Sequence, residues 1–225
     1  MKYEGDDKPF IQNAVYADLG VAVLREGDFV AVLKGGHNRE SHNHNDVGHF
    51  VFYSGGDPVI IDPGNLEYTR DTFNENRYKI WTNQSSYHNL PDIGGVMQKD
   101  GREYEADGFS CDKNTAAVSY GKAYPVPAEC RREITLDKGG LTVIDTVKAA
   151  GDVTFHFMVK AEPRVTKNTV AIGDMQMTFS ENGGISVDEV DVSSSPAMTN
   201  TWGQTKLYRI NVRASALKTR IEKRG

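Results

Sequence analysis

Cysteine is nearly absent. Cys111 and Cys130 are the only two, far apart and without a C-x-x-C pair, which excludes cysteine zinc sites and a disulfide framework and leaves a single bridge open. Basic runs are missing too: with 26 Lys and Arg against 31 Asp and Glu, and a net charge of −5, nothing suggests a footprint for nucleic acid or an anionic membrane. An acidic polymer would have to be gripped locally, by a few placed cations. No apolar run approaches the roughly 20 residues of a membrane helix, and the opening "MKYEGDDKPF" lacks the apolar core of a signal peptide. Helical periodicity is scarce as well. Its best stretches, around Asn74 to Trp81 and Ser215 to Arg224, are too short or too polar to build a helical layer.

What the chain has instead is a succession of short β-branched or alternating runs, each closed by Gly, Asp or Asn. "GVAVLREGDFVAVLKGG" reads as two strands turning at Gly27-Asp28, and "HFVFYSGGDPVIIDPG" as two more around a Gly-Gly-Asp turn. "REITLDKGGLTVIDTVKAAGDVTFHFMVKAEP" adds three. The expected fold is all-β: one domain over residues 1–225, a large antiparallel β-sandwich of two stacked sheets and roughly a dozen strands. One region breaks the rhythm. Between Pro63 and Gly95 the sequence is long, polar and aromatic, and long irregular segments in compact domains tend to be functional.

The densest chemistry lies in "SHNHNDVGHF", Ser41 to Phe50, which holds three of the six histidines. In an extended segment His42 and His44 would point to the same side, as metal sites often require; in a solvated loop the asparagines would form turns and the imidazoles would face water. Asp62 ends the apolar run "VIIDPG", and His88 sits in "SSYHN" where the irregular segment returns to sheet. Zinc accepts two His and one carboxylate with a fourth position open, so His44, Asp62 and His88 form a plausible trio. His49, of opposite parity to the pair, is expected to face away and be structural. His156, between Phe155 and Phe157, reads as a sheet-face histidine with a hydrogen-bond partner. Trp81, Tyr68 and Tyr87 can stack on sugar rings or anchor the loop, and Arg70 and Arg77 can clamp a carboxylate or sulfate through a planar fork.

"SHNHNDVGHFVFYSGGDPVIIDPG", followed by "RYKIWTNQSSYHNLPDIGGVMQ", resembles the C-terminal β-domain of the heparinase II/III-like polysaccharide lyases. The shared pattern is H-x-H-x-D, a strand, a Gly turn, an apolar run ending in D-x-G, and later H-N leading to a Gly and a Gln. The resemblance is strongest over residues 15 to 110. It implies a structural zinc on His44, Asp62 and His88, with His42 turned toward substrate and Tyr78 as the cleft tyrosine, Tyr68 competing for that place. Arg77, Tyr68 and Arg70 are the accompanying substrate-binding candidates. The implied substrate is a uronic-acid-containing polysaccharide of heparin, heparan or alginate type, cleaved by β-elimination between this sandwich and an N-terminal helical toroid. That toroid is missing here, so the isolated chain is expected to bind zinc and show little or no turnover. The implied parent protein is periplasmic or secreted.

Two other readings compete. A metal-dependent cupin shares the glycine followed by H-x-H, but needs a Glu where this chain has Gly48 and His49. A carbohydrate-binding or architectural sandwich, with the metal stapling a loop, is the other.

Overall fold

The computed structural model describes residues 12–180 and 182–225. In Val21–Glu26, Phe29–Lys34 and Phe50–Ser54 the buried side chains fall at every second position, the signature of strands with one face in a core. These three join Ala14–Tyr16 and Asp57–Ile60 in a five-stranded antiparallel sheet. A four-stranded sheet, ordered Ile185–Asp191, Lys206–Arg213, Val153–Val159 and Pro91–Ile93, continues beside it, joined by the bond from the Ile61 N–H to the Met158 carbonyl at 2.9 Å. The opposing layer is an eight-stranded sheet whose longest members are Ala128–Asp137 and Gly140–Ala149.

The expected β-sandwich is thus present, with more pieces than expected: nineteen strands among the described residues, in sheets of five, eight, four and two. Strands of two or three residues, such as His37–Asn38 and Pro91–Ile93, are too short to show alternation. The tail from Ser215 to Arg224, one of the two helical candidates, is strand over Ala216–Lys223.

The core is shared by all three large sheets. Phe50, Phe157 and Phe179 come one from each, with ring centroids 6.3 Å apart for the first pair and 5.6 Å for the second. All three are fully buried, and each contributes roughly 1.5–3 kcal/mol by leaving water. A smaller cluster of Ile61, Met158, Val192, Met198 and Leu207 is capped by the helix Pro196–Trp202. Its sequence marks are a capping Ser195, Pro at the start and Gly203 in the left-handed conformation after the end; at seven residues it is too short for periodicity to reveal. The Glu67 carboxylate accepts from Ser195 Oγ and the Ala197 N–H, and Trp202 Nε1 donates to the Pro63 carbonyl. The helix therefore braces the segment that follows Asp62.

Cys111 and Cys130 are both free thiols, which settles the open bridge. Burial pushes the Cys130 thiol up to about 12. Among the described residues no helix is long and apolar enough to cross a membrane.

Candidate metal centre and adjoining cleft

Strands Phe29–Lys34 and Phe50–Ser54 are antiparallel neighbours, paired from Phe29 with Ser54 to Leu33 with Phe50. The chain between them makes a long excursion whose neck is closed by Lys34 N–H to the His49 carbonyl (2.9 Å) and Gly48 N–H to the Lys34 carbonyl (2.8 Å). "SHNHNDVGH" occupies this excursion, so its side chains stand at one end of the sheet.

Buried amides hold the excursion in shape. Gln98 Oε1 accepts from the Val47 N–H at 3.1 Å and Gln98 Nε2 donates to the Val47 carbonyl at 2.7 Å, the two bonds a neighbouring strand would make. Asn38 Nδ2 donates to Gln98 Oε1, and Asn38 Oδ1 accepts from the Asp46 N–H. Asp46, the acid of H-x-H-x-D, is paired with Lys34 Nζ at 2.5 Å, so it braces the loop. Gly48 has φ of +91°, and a Cβ there would lie 2.9 Å from the Tyr120 ring; the left-handed backbone and the aromatic wall both require glycine.

His44, Asp62 and His88 converge: one ligand atom from each lies within 4.8 Å of the others. Asp62 sits just past Asp57–Ile60. Its Oδ1 accepts from the Gly64 N–H at 2.7 Å, which is the turn that "DPG" encodes and which leaves Oδ2 facing the histidines. Asp62 Oδ2 is 3.3 Å from His88 Nδ1 and 3.4 Å from His49 Nε2. Asn65 Oδ1 lies 2.8 Å from His44 Nε2 and fixes that ring. Asn89, next to His88, donates Nδ2 to the Phe50 and Ile61 carbonyls and accepts from the Met158 N–H, standing in for a missing stretch of strand between the two sheets.

The electrostatics are those of several imidazoles competing for one carboxylate. Burial pushes the Asp62 carboxyl up, but His88, then His49 and His44, outweigh it and hold the group far below the usual carboxylate range. Burial lowers His49 to about 3 against the pull of Asp62. His44 is lowered by burial and by His88. For His88 burial lowers, but the negative charge of Asp62 beside it prevails and the net direction is up. His88 is fully buried and neither ring nitrogen has a hydrogen-bond partner; His49 Nε2 is in the same position. An unmet buried polar atom is unfavourable by ~1–3 kcal/mol. A cation would meet them, and the 3.3 Å between Asp62 Oδ2 and His88 Nδ1 matches the edge of about 3.3 Å of a tetrahedron with zinc bonds near 2.0 Å. The residues fit a zinc ion.

His42 goes elsewhere. Its φ is +60°, so the H-x-H is not extended, and the expectation that both imidazoles share one side fails. His44 is buried while His42 is exposed on the wall of an open cleft of about 760 Å³. That separation also removes the paired ligands a cupin needs. Tyr78 and Arg77 line the same cleft, with Asn43, Phe73 and Asp100. Tyr78 Oη donates to Asn43 Oδ1 at 3.1 Å, and Arg77 donates to the carbonyls of Thr72 (3.0 Å) and Asn43 (2.8 Å), strapping the irregular segment to the histidine loop.

The other sequence candidates separate. Tyr68 is 59% exposed, packs edge-on to Phe73, and does not line the cleft; Arg70 opens a short exposed turn beside it. Trp81 packs on the smaller core cluster and meets Tyr87 at 4.8 Å, which makes it a loop anchor. His49 does not face away: it is buried against Asp62, with Nδ1 accepting from the Asn89 N–H at 3.0 Å. The parity rule fails because the chain from 42 to 49 is turns rather than strand.

A family model described as Heparinase II/III-like, C-terminal, matches residues 12–220. No curated protein matches in sequence. A heparinase III gene product superposes with a TM-score of 0.73 and 19% identity over 95% of this chain and 36% of its own. Heparan sulfate lyase HepC from Pedobacter heparinus gives 0.69 and 17%, covering 96% of this chain and 37% of that one. A 4-alpha-glucanotransferase from Thermococcus litoralis gives 0.60 and 10%, covering 95% and 39%. At such identities the likeness is one of fold, shared by lyases and by a transferase, so chemistry has to be argued from the site. The chain spans a little over a third of the length of these structures.

Proposed function

Because the chain belongs to the Heparinase II/III-like, C-terminal family, we propose that it is the β-sandwich part of a polysaccharide lyase acting on a uronic-acid-containing polymer of the heparin, heparan or alginate type. The observation that carries this reading is the division of the histidine loop: buried His44 joins half-buried Asp62 and buried His88 while His42, two residues away, stands exposed in a cleft with Tyr78.

In a uronic acid the C5 proton lies α to a carboxylate, and its removal requires that the charge building on that carboxylate be stabilised. A cationic or hydrogen-bonding imidazole at His42 suits that task. A general base must take that C5 proton and a general acid must protonate the leaving oxygen at C4; tyrosine can serve as the acid, and Tyr78 Oη, held by Asn43, lines the same cleft as His42. His44, Asp62 and His88 would hold a zinc ion, whose contribution when bound is a fixed charge that locks the loop carrying His42. Arg77 keeps the cleft wall in register with that loop. The remaining walls of the cleft would come from a second, helical domain of the same polypeptide, in a periplasmic or secreted parent.

Two measurements test this. Metal analysis of purified chain should find about one equivalent of zinc. The chain alone should give little or no unsaturated uronate product from heparin, heparan sulfate or alginate, whereas a polypeptide that also carries the helical domain should give product that is lost in His42→Ala. Absence of zinc, or robust elimination by the chain alone, would overturn the respective half of the proposal. Firm binding of uronate oligosaccharides by the chain alone would instead favour a binding module.

A further inference from the structure

Arg132 and Asp145 are register partners on Ala128–Asp137 and Gly140–Ala149, both fully buried in the eight-stranded sheet. Arg132 Nε and Nη2 engage the two carboxylate oxygens of Asp145 at 2.7 and 3.1 Å. The remaining nitrogen, Nη1, reaches across the core and donates to the Gly48 carbonyl at 2.8 Å and to the Asn89 carbonyl. Gly48 precedes His49, and Asn89 follows His88. One nitrogen atom thus ties together two irregular segments about 40 residues apart in sequence, at the points where they carry the histidines around Asp62. The guanidinium lies over the Phe50 ring at 4.9 Å, which keeps it in place.

A buried ion pair is a weak source of stability, because an apolar pair of similar volume generally serves as well. What an apolar pair cannot do is donate to two carbonyls at once. We infer that Arg132, oriented by Asp145, is a positioning residue for the metal centre: it sets the distance between the His44–His49 loop and the His88–Asn89 segment. This inference rests on the zinc reading of His44, Asp62 and His88.

The test replaces the pair together, Arg132→Met with Asp145→Leu, and compares it with wild type in three measurements: unfolding midpoint, zinc affinity by chelator competition, and the visible spectrum of the cobalt(II)-substituted chain. The expected result is a folded variant with a lowered midpoint, since the Gly48 and Asn89 carbonyls lose their donor, zinc affinity weaker by about 10- to 100-fold, and altered cobalt bands. Wild-type affinity and an unchanged cobalt spectrum in the folded variant would overturn the inference. Should the double variant fail to fold, Arg132→Lys retains a charge for Asp145 while a single ammonium cannot also span both carbonyls; the same loss is expected, and unchanged metal binding there overturns the inference equally. A wild-type chain that takes up neither zinc nor cobalt overturns the metal reading, and the inference with it; a wild type that binds beside a variant that binds equally overturns the inference alone.

Discussion

Among the described residues, buried histidines meet half-buried aspartates in two clusters, and these are built in opposite ways. On the four-stranded sheet, His156 has Asn211 Oδ1 at 2.7 Å on Nδ1 and Asp92 Oδ2 at 3.2 Å from Nε2, while Ser86 Oγ donates to Asp92. One imidazole there meets one carboxylate and one amide, so donors and acceptors balance. At the end of the five-stranded sheet, His44, His49 and His88 crowd a single carboxylate whose other oxygen is held by Gly64. Three imidazoles around one carboxylate leave ring nitrogens with no acceptor of their own, whereas His156, whose Nε2 also falls outside hydrogen-bond geometry, has one carboxylate to itself.

Breaking the two carboxylates in parallel gives the largest difference. Asp62→Asn should abolish stoichiometric zinc uptake, a larger loss than the roughly 10–100-fold typical of groups outside the coordination sphere. Asp92→Asn should leave zinc content unchanged. Equal metal content in the two variants, read by elemental analysis, would remove the distinction between the clusters.

Acidity should separate them next. Metal binding requires neutral imidazoles, and His88, raised by Asp62, must release its proton. Zinc affinity should therefore climb up to about tenfold per pH unit until the pH passes the raised His88 value, with proton release visible by calorimetry in buffers of different ionisation enthalpy. For the stability of the metal-free chain the signs differ by residue. His49, lowered to about 3, stays neutral when folded and takes a proton when unfolded, so its contribution is lost as pH falls from 6.5 toward 3, and His44 acts in the same direction. Asp62, held far down, stabilises above the usual carboxylate range and loses this as pH falls through its depressed value. His88 opposes them: its contribution is full below 6.5 and fades as pH rises through its folded value. A metal-free unfolding midpoint that does not fall between pH 6.5 and 4 would contradict the burial of neutral His44 and His49.

Supporting contacts should show a smaller contrast. Gln98→Ala removes both bonds to Val47 and one of those to Asn38, all in the interior, and should destabilise by about 2–4 kcal/mol at ~1–3 kcal/mol per unmet buried group. His156→Ala, on a sheet face bordering an open groove, should stay nearer ~1 kcal/mol. Denaturant midpoints read both.

Much of this is legible in the amino-acid sequence. The period-2 alternation of the major strands points to the sandwich, and the ligand types with their family pattern point to His44, Asp62 and His88. Arg132, Asn89 and Gln98 are not legible in their roles, because their partners are backbone carbonyls and N–H groups distant in sequence, which leave no local pattern. His49 departs from its expected direction for a related reason: side-chain parity holds only where the backbone is extended, and the turns at 41–48 reset it.

At His42 the same reset turns the side chain to the cleft, where the proposed function uses it, and this residue supplies the smallest predicted effect. A non-glycine residue in the left-handed region is strained by ~1 kcal/mol or a little more, and histidine tolerates it better than most. His42→Gly relieves that strain but adds backbone freedom to the unfolded chain, so the unfolding midpoint should move by no more than about 0.5 kcal/mol in either direction. Zinc affinity should stay within about threefold, since the side chain faces the cleft and not the triad. A large loss of zinc in this variant would mean that both imidazoles of the H-x-H serve the metal, and the split between a gripping residue and a presented one would have to be abandoned.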